Sequence, residues 1–126
     1  QHDAFLLIGD EALRRRYGVP QFPHRYDLGE EWYQWTQMPF VYAVWVVRQD
    51  MDPKRSNYLE NVLYTCVDEG LEHMHVIGQR RQDVMMSPRE IVEYFQSFRY
   101  WAGVSELKAI ECFRKYLETV STGAAS

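Results

Sequence analysis

The chain has 126 residues, 46% of them hydrophobic and 25% charged, and a formal net charge of −4. That composition suits one folded domain with a modest core and excludes a disordered chain. The acidic balance gives no global field for nucleic acid or anionic membrane, and the basic runs Arg14-Arg15-Arg16 and Arg80-Arg81 are too short to supply a local one.

No apolar run approaches the roughly 20 residues of a membrane helix, and no basic stretch followed by an apolar one opens the chain. The chain therefore reads as cytoplasmic, unless a leader has been removed. Cys66 and Cys112 have neither a CxxC partner nor a secreted-type framework, and read as buried free thiols. Aromatic residues make up 15%, including four Trp and nine Tyr, which suits a core and also the wall of a pocket for a ring-shaped ligand.

In chain order, Phe5-Leu6-Leu7-Ile8 is a continuous apolar run ended by Gly9-Asp10, the pattern of a buried strand and a turn whose Asp10 caps a helix over Glu11 to Arg16. A strand opening so early, with no Met before it, reads as the interior of a larger protein. Gly18 to His24 is a loop punctuated by Gly and two Pro. Asp27 and Glu30 have capping-box spacing at the head of the next helix, and Met38-Pro39 stops helical geometry. Phe40 to Val47 is apolar without alternation, as in a strand covered on both faces.

Asp52-Pro53 opens a long helix whose stripe Leu59, Val62, Leu63, Cys66, Val67, Leu71, Met74 and Ile77 follows helical spacing, with Gly70 marking a close contact or an irregularity. Ser87-Pro88-Arg89-Glu90 is a capping box heading a helix with Ile91, Phe95 and Phe98 on one face, broken at Gly103. Ser105 caps a last helix with Leu107, Ile110, Phe113, Leu117 and Val120 in register, ending at Gly123 before a short frayed tail. The expected class is α/β, helix-rich, with about two buried strands. Two such strands cannot satisfy both their edges alone, so more sheet from elsewhere, or self-association, is expected.

His73-Met74-His75 places two imidazoles on opposite sides of a helix, where they cannot share a metal, and no nucleophile elbow, zinc-protease or phosphate-loop motif is present.

Asp3-Ala4-Phe5-Leu6-Leu7-Ile8-Gly9-Asp10-Glu11-Ala12-Leu13, then Tyr26-Asp27-Leu28-Gly29-Glu30-Glu31-Trp32, Trp35-Thr36 and Met38-Pro39-Phe40-Val41-Tyr42-Ala43-Val44-Trp45 together resemble the second half of chorismate dehydratases, enzymes of the futalosine route to menaquinone. Beyond Trp45 only the helical layout matches, including Ile91-Val92-Glu93-Tyr94-Phe95. The resemblance implies part of a bilobal fold like that of type 2 periplasmic binding proteins. Residues 1–37 would end the second lobe, and residues 38–126 would form the hinge crossing and the return into the first lobe. The Ser/Asn-bearing segment that holds the substrate carboxylates in the family has no counterpart in this sequence.

The implied reaction removes water from chorismate to give 3-[(1-carboxyvinyl)oxy]benzoate without a cofactor. It requires a positioned dicarboxylate and a dry site. Cleft-facing candidates by this resemblance are Ile8, Gly9 and Asp10 at the first turn and Thr36, Met38, Pro39 and Phe40 at the hinge. Asp10 and Thr36 read equally well as a helix cap and a helix end. The implied partners are a small dicarboxylate and an N-terminal lobe or a second copy, with neither nucleic acid nor membrane. The alternative functions are a non-catalytic carboxylate-binding module of the same architecture and a small helical interaction protein.

Overall fold

The computed structural model describes residues 2–80 and 84–123, with side chains as far as residue 121. Gln1, Arg81 of the second basic pair and the end of the tail fall outside the described residues. The helices are α1 (Gly9–Arg14), α2 (Leu28–Thr36), α3 (Pro53–Glu72), α4 (Met74–Arg80), α5 (Pro88–Gln96) and α6 (Val104–Gly123). The chain divides into two compact units, one of Gln1–Arg25 with Val47–Tyr100 and one of Tyr26–Val46 with Trp101–Ser126. The first holds α1, α3, α4 and α5, and the second holds α2 and α6.

The protein is helix-rich, and the two expected strands do not form ladders. Phe5 to Ile8 and Phe40 to Val47 are neither helical nor ladder-paired, and among the described residues the one β-bridge is the isolated antiparallel pair Val19 and Phe22. Nor are these segments buried, for Ile8 is 76% exposed and Trp45 and Val46 are each 81% exposed. The physical reason is that a strand's amides and carbonyls are satisfied only by a neighbouring strand. The sequence carries the strand-forming side chains, and the described residues supply no ladder for them.

Helix starts follow local chemistry closely. Asp27 Oδ1 accepts from the amides of Gly29 (2.9 Å) and Glu30 (3.1 Å), and Asp52 Oδ1 accepts from Lys54 N–H at 3.1 Å ahead of Pro53. Glu30 does not complete a capping box; its carboxylate accepts instead from Gln34 Nε2 at 3.4 Å. Ser87 and Glu90 do complete one at α5. Asp10 is not a cap. Ile8 occupies the cap position of α1 without a side-chain cap, because Gly9 turns at φ +60° and the helix begins ahead of Asp10. Ser105 is not the cap of α6 either: Gly103 accepts from Leu107 N–H at 3.1 Å and donates its own N–H to Glu106 Oε2 at 2.7 Å.

The single helix expected from Pro53 onward is two. α3 ends at Glu72, with His73 in a non-helical conformation, and α4 resumes at Met74. The irregularity anticipated at Gly70 thus falls three residues later, while the close contact falls at Gly78. A Cβ there would lie 2.7 Å from the Pro88 carbonyl oxygen, whereas one on Gly70 would meet open space. Bare backbone at Gly78 lets α4 and α5 approach each other. Met74, Val84 and Ile91 are the buried apolar side chains of this unit.

The stripe on α3 is only partly covered: Leu59, Leu63 and Val67 are half-buried, while Val62, Cys66 and Leu71 are exposed. On α6 the covered face is rotated from the expected one. Glu106 and Ala109 are buried, and Leu107, Leu117 and Val120 are exposed. Both cysteines are free, as expected, yet Cys66 is exposed and Cys112 half-buried.

Candidate functional site

The second unit is assembled around Trp32, which is 7% exposed. Its ring meets those of Trp35, Phe40, Phe113 and Tyr116 edge-on, with centroids 5.5–6.2 Å apart. Such T-shaped contacts suit the ring quadrupoles. The indole Nε1 donates to the Pro39 carbonyl at 3.2 Å, so the chain after α2 is tied back onto the helix it leaves. That tie is possible because Gln37 takes a left-handed conformation (φ 56°) and turns the chain sharply. Tyr42 then reaches the start of α2, where its hydroxyl sits against Gly29.

These residues wall an open cleft of about 230 Å³, lined among others by Trp32, Phe40, Tyr42, Val44, Ile110 and Phe113. Its size is just below that of common ligand pockets, roughly 300–1,000 Å³. None of the lining residues is charged. An apolar ring or aliphatic side chains fit such walls, while a dicarboxylate would find no counter-charge on them.

The candidate residues divide between the units. Ile8, Gly9 and Asp10 belong to the first. Ile8 is exposed, and Gly9 is required by its positive φ and not by a close neighbour, since nothing would lie within 4 Å of a Cβ there. Thr36, Met38, Pro39 and Phe40 belong to the second, and of these Pro39 and Phe40 line the cleft. The Thr36 hydroxyl donates to the Trp32 carbonyl at 2.7 Å and accepts from Met38 N–H at 3.2 Å. It finishes α2, as the helix-end reading holds.

A polar node in the first unit is absent from the expectations. Glu90 Oε1 accepts from Arg16 Nη2 at 3.0 Å and from the Tyr17 hydroxyl at 2.7 Å, while Oε2 accepts from Ser87 N–H at 2.8 Å. The Ser87 amide, then the Tyr17 and Ser87 hydroxyls and the Arg16 guanidinium, hold the Glu90 carboxyl down to about 2. Arg14 and Arg15 pair with Glu11 on the same short stretch. Arg16 leaves the solvated run to reach α5, and nothing in a local sequence window marks it. Among the described residues no group of three or more His, Cys, Asp and Glu side chains could hold a metal ion, and no helix is long and apolar enough to cross a membrane.

Together these features define a helix-rich chain with two strand-like segments that form no ladder among the described residues, and an uncharged, aromatic-walled cleft near small-molecule size. A family described as menaquinone biosynthesis matches residues 1–119, and the chain belongs to that family. It is 28% identical, over 131 aligned positions, to the chorismate dehydratase of Thermus thermophilus; the alignment covers 92% of this chain and 48% of that protein. The chain therefore spans about half the length of that relative. No solved structure matches it.

Proposed function

We propose that this chain is part of a carbon–oxygen lyase that dehydrates chorismate to the carboxyvinyl-ether benzoate in menaquinone formation. The observation that carries the reading is the likeness to a chorismate dehydratase along 92% of the chain. In this reading residues 1–37 end one lobe of a bilobal protein, and residues 38–126 cross to the other. The reaction is an elimination: a base takes a ring proton, a hydroxyl leaves, and aromatisation drives the step forward. The protein's work is then to orient a dicarboxylate and exclude water.

Ile8, Gly9, Asp10, Thr36, Met38, Pro39 and Phe40 are the proposed substrate contacts. Gly9 offers a backbone amide, and Met38, Pro39 and Phe40 offer apolar surface. The uncharged cleft around Trp32 argues that the carboxylates are held by groups outside it. Phe5–Ile8 and Phe40–Val47, which form no β-ladder among the described residues and are largely exposed, support pairing with further sheet, from the part of the relative that this chain does not span or from a second copy.

The test is to incubate the purified chain with chorismate, alone and with the other half of the protein supplied in trans, and to follow the enol-ether product by mass spectrometry. Turnover only in the mixture, with a rise in β-sheet signal by circular dichroism, is the expected result. Chorismate binding without turnover in the assembled protein would leave a carboxylate-binding module in place of a lyase.

A further inference from the structure

We propose that Glu90 is a positioning residue: through Arg16 and Tyr17 it latches α1, and the Ile8–Asp10 turn that leads into it, onto the first turn of α5. All of these groups lie in the same compact unit. α1 has six residues, buries none of them and has no side-chain cap. Helices shorter than about 12–15 residues are marginal in water on their own, so contacts with the rest of the unit must hold this one.

Among the described residues, contacts of two kinds do so. Leu13 helps line a small crevice, of about 20 Å³, with Val84, Ile91 and Phe95. Just beyond the helix, Arg16 and Tyr17 donate to Glu90, across 74 and 73 residues of sequence. The acceptor is well placed for this work, because its other oxygen already closes the capping box on Ser87 N–H. Arg16 adds a second grip. The same Nη2 donates to the Met85 carbonyl at 2.8 Å, and Met85 sits at φ 55°, a left-handed conformation that a residue with a side chain seldom adopts. One guanidinium thus joins the end of α1, the strained residue before α5 and the carboxylate that caps α5. Charge-assisted bonds of this type are the stronger hydrogen bonds.

The functional consequence, a fixed ligand-contacting turn, rests on the proposed role of Ile8–Asp10; the latch itself does not. Hydrogen exchange read by mass spectrometry tests it in the purified chain. With Arg16→Gln and Glu90→Gln, the amides of residues 9–17 should exchange about tenfold faster or more, while those of 88–96 change less than about twofold, since Gln still serves a capping box. Arg16→Lys, which returns a cation to Glu90, should restore part of the protection. Ser87→Ala should loosen 88–96 more than 9–17.

Unchanged exchange of 9–17 in Arg16→Gln would overturn the latch. So would a parallel rise in both segments with no rescue by Lys, because that pattern is general loss of stability. In the assembled protein, Glu90→Gln should raise KM for chorismate several-fold with kcat within about twofold. Faster exchange of 9–17 with unaltered KM would leave the latch standing and remove the turn from the binding site.

Discussion

At the scale of single residues, Glu90 shows how one carboxylate serves two structures at once. It caps α5 through Ser87 and receives Arg16 and Tyr17 from the far end of the sequence. Because its folded-state pKa is depressed to about 2, its contribution to stability is complete above the ordinary carboxylate range and is lost as pH falls toward 2. The groups facing it are the Arg16 guanidinium, whose own pKa is raised and which stays charged throughout that window, the Tyr17 hydroxyl, and the amide and hydroxyl of Ser87. Urea unfolding of the protein and of Glu90→Gln should therefore show a gap in midpoint at neutral pH that closes by about pH 2. A gap that persists unchanged at low pH would mean that charge on Glu90 does not contribute.

The caps at Asp27, Asp52 and Ser87 were legible from sequence because a cap is decided within three or four residues. The Arg16–Glu90 pair was not, since its partners are 74 residues apart and each has a sufficient local reading. Trp32 falls between these cases. The aromatic content suited both a core and a pocket wall, but that the buried Trp32 ring serves as both depends on Phe113 and Tyr116, which arrive on α6.

At the scale of elements, hydrophobic spacing located the helices and their types but misjudged which faces are covered. On α6 the buried positions Glu106 and Ala109 do not belong to the aliphatic repeat: Ala109 lines the cleft beside Trp32, and Glu106 accepts from Gly103 N–H and the Ser105 hydroxyl. The two glycines of the 53–80 region show the same limit. Gly70 and Gly78 look alike in sequence, yet only Gly78 faces backbone from another helix. Gly70→Ala should stabilise by up to about 1 kcal/mol through helix propensity. Gly78→Ala gains the same propensity but drives a methyl against the Pro88 carbonyl, which cannot swing aside, and should destabilise by about 1–3 kcal/mol. Urea midpoints of the two variants check this; equal shifts would show that α4 and α5 do not need the close approach.

At the scale of the whole molecule, the apolar segments before α1 and after α2 have the side chains of sheet but not its hydrogen bonds. The sequence announced this correctly in one respect, since two strands without neighbours cannot satisfy their edges. It erred in another, for it treated burial as a property of the segment, when burial belongs to the segment and its partner together. Val44 to Val47 are all more than half exposed in the described chain. Such a stretch is prone to pair with whatever strand it meets, and the proposed association with further sheet or with a second copy rests on that tendency.

The contact between Gly29 and Tyr42 gives that pairing a zero point. The Tyr42 hydroxyl occupies the space that a side chain on Gly29 would take, so the strand-like segment cannot slide along α2 by a residue without losing its notch. A shift of one residue in a strand exchanges its two faces. In the proposed pairing, the notch therefore determines in advance which side chains of the segment face a neighbouring strand. Gly29→Ala should lower stability despite its better helix propensity, and Tyr42→Phe, which removes the obstructing oxygen, should recover most of the loss when the two changes are combined. Simple additivity of the two in thermal melts would show that the segment is indexed by something other than this notch.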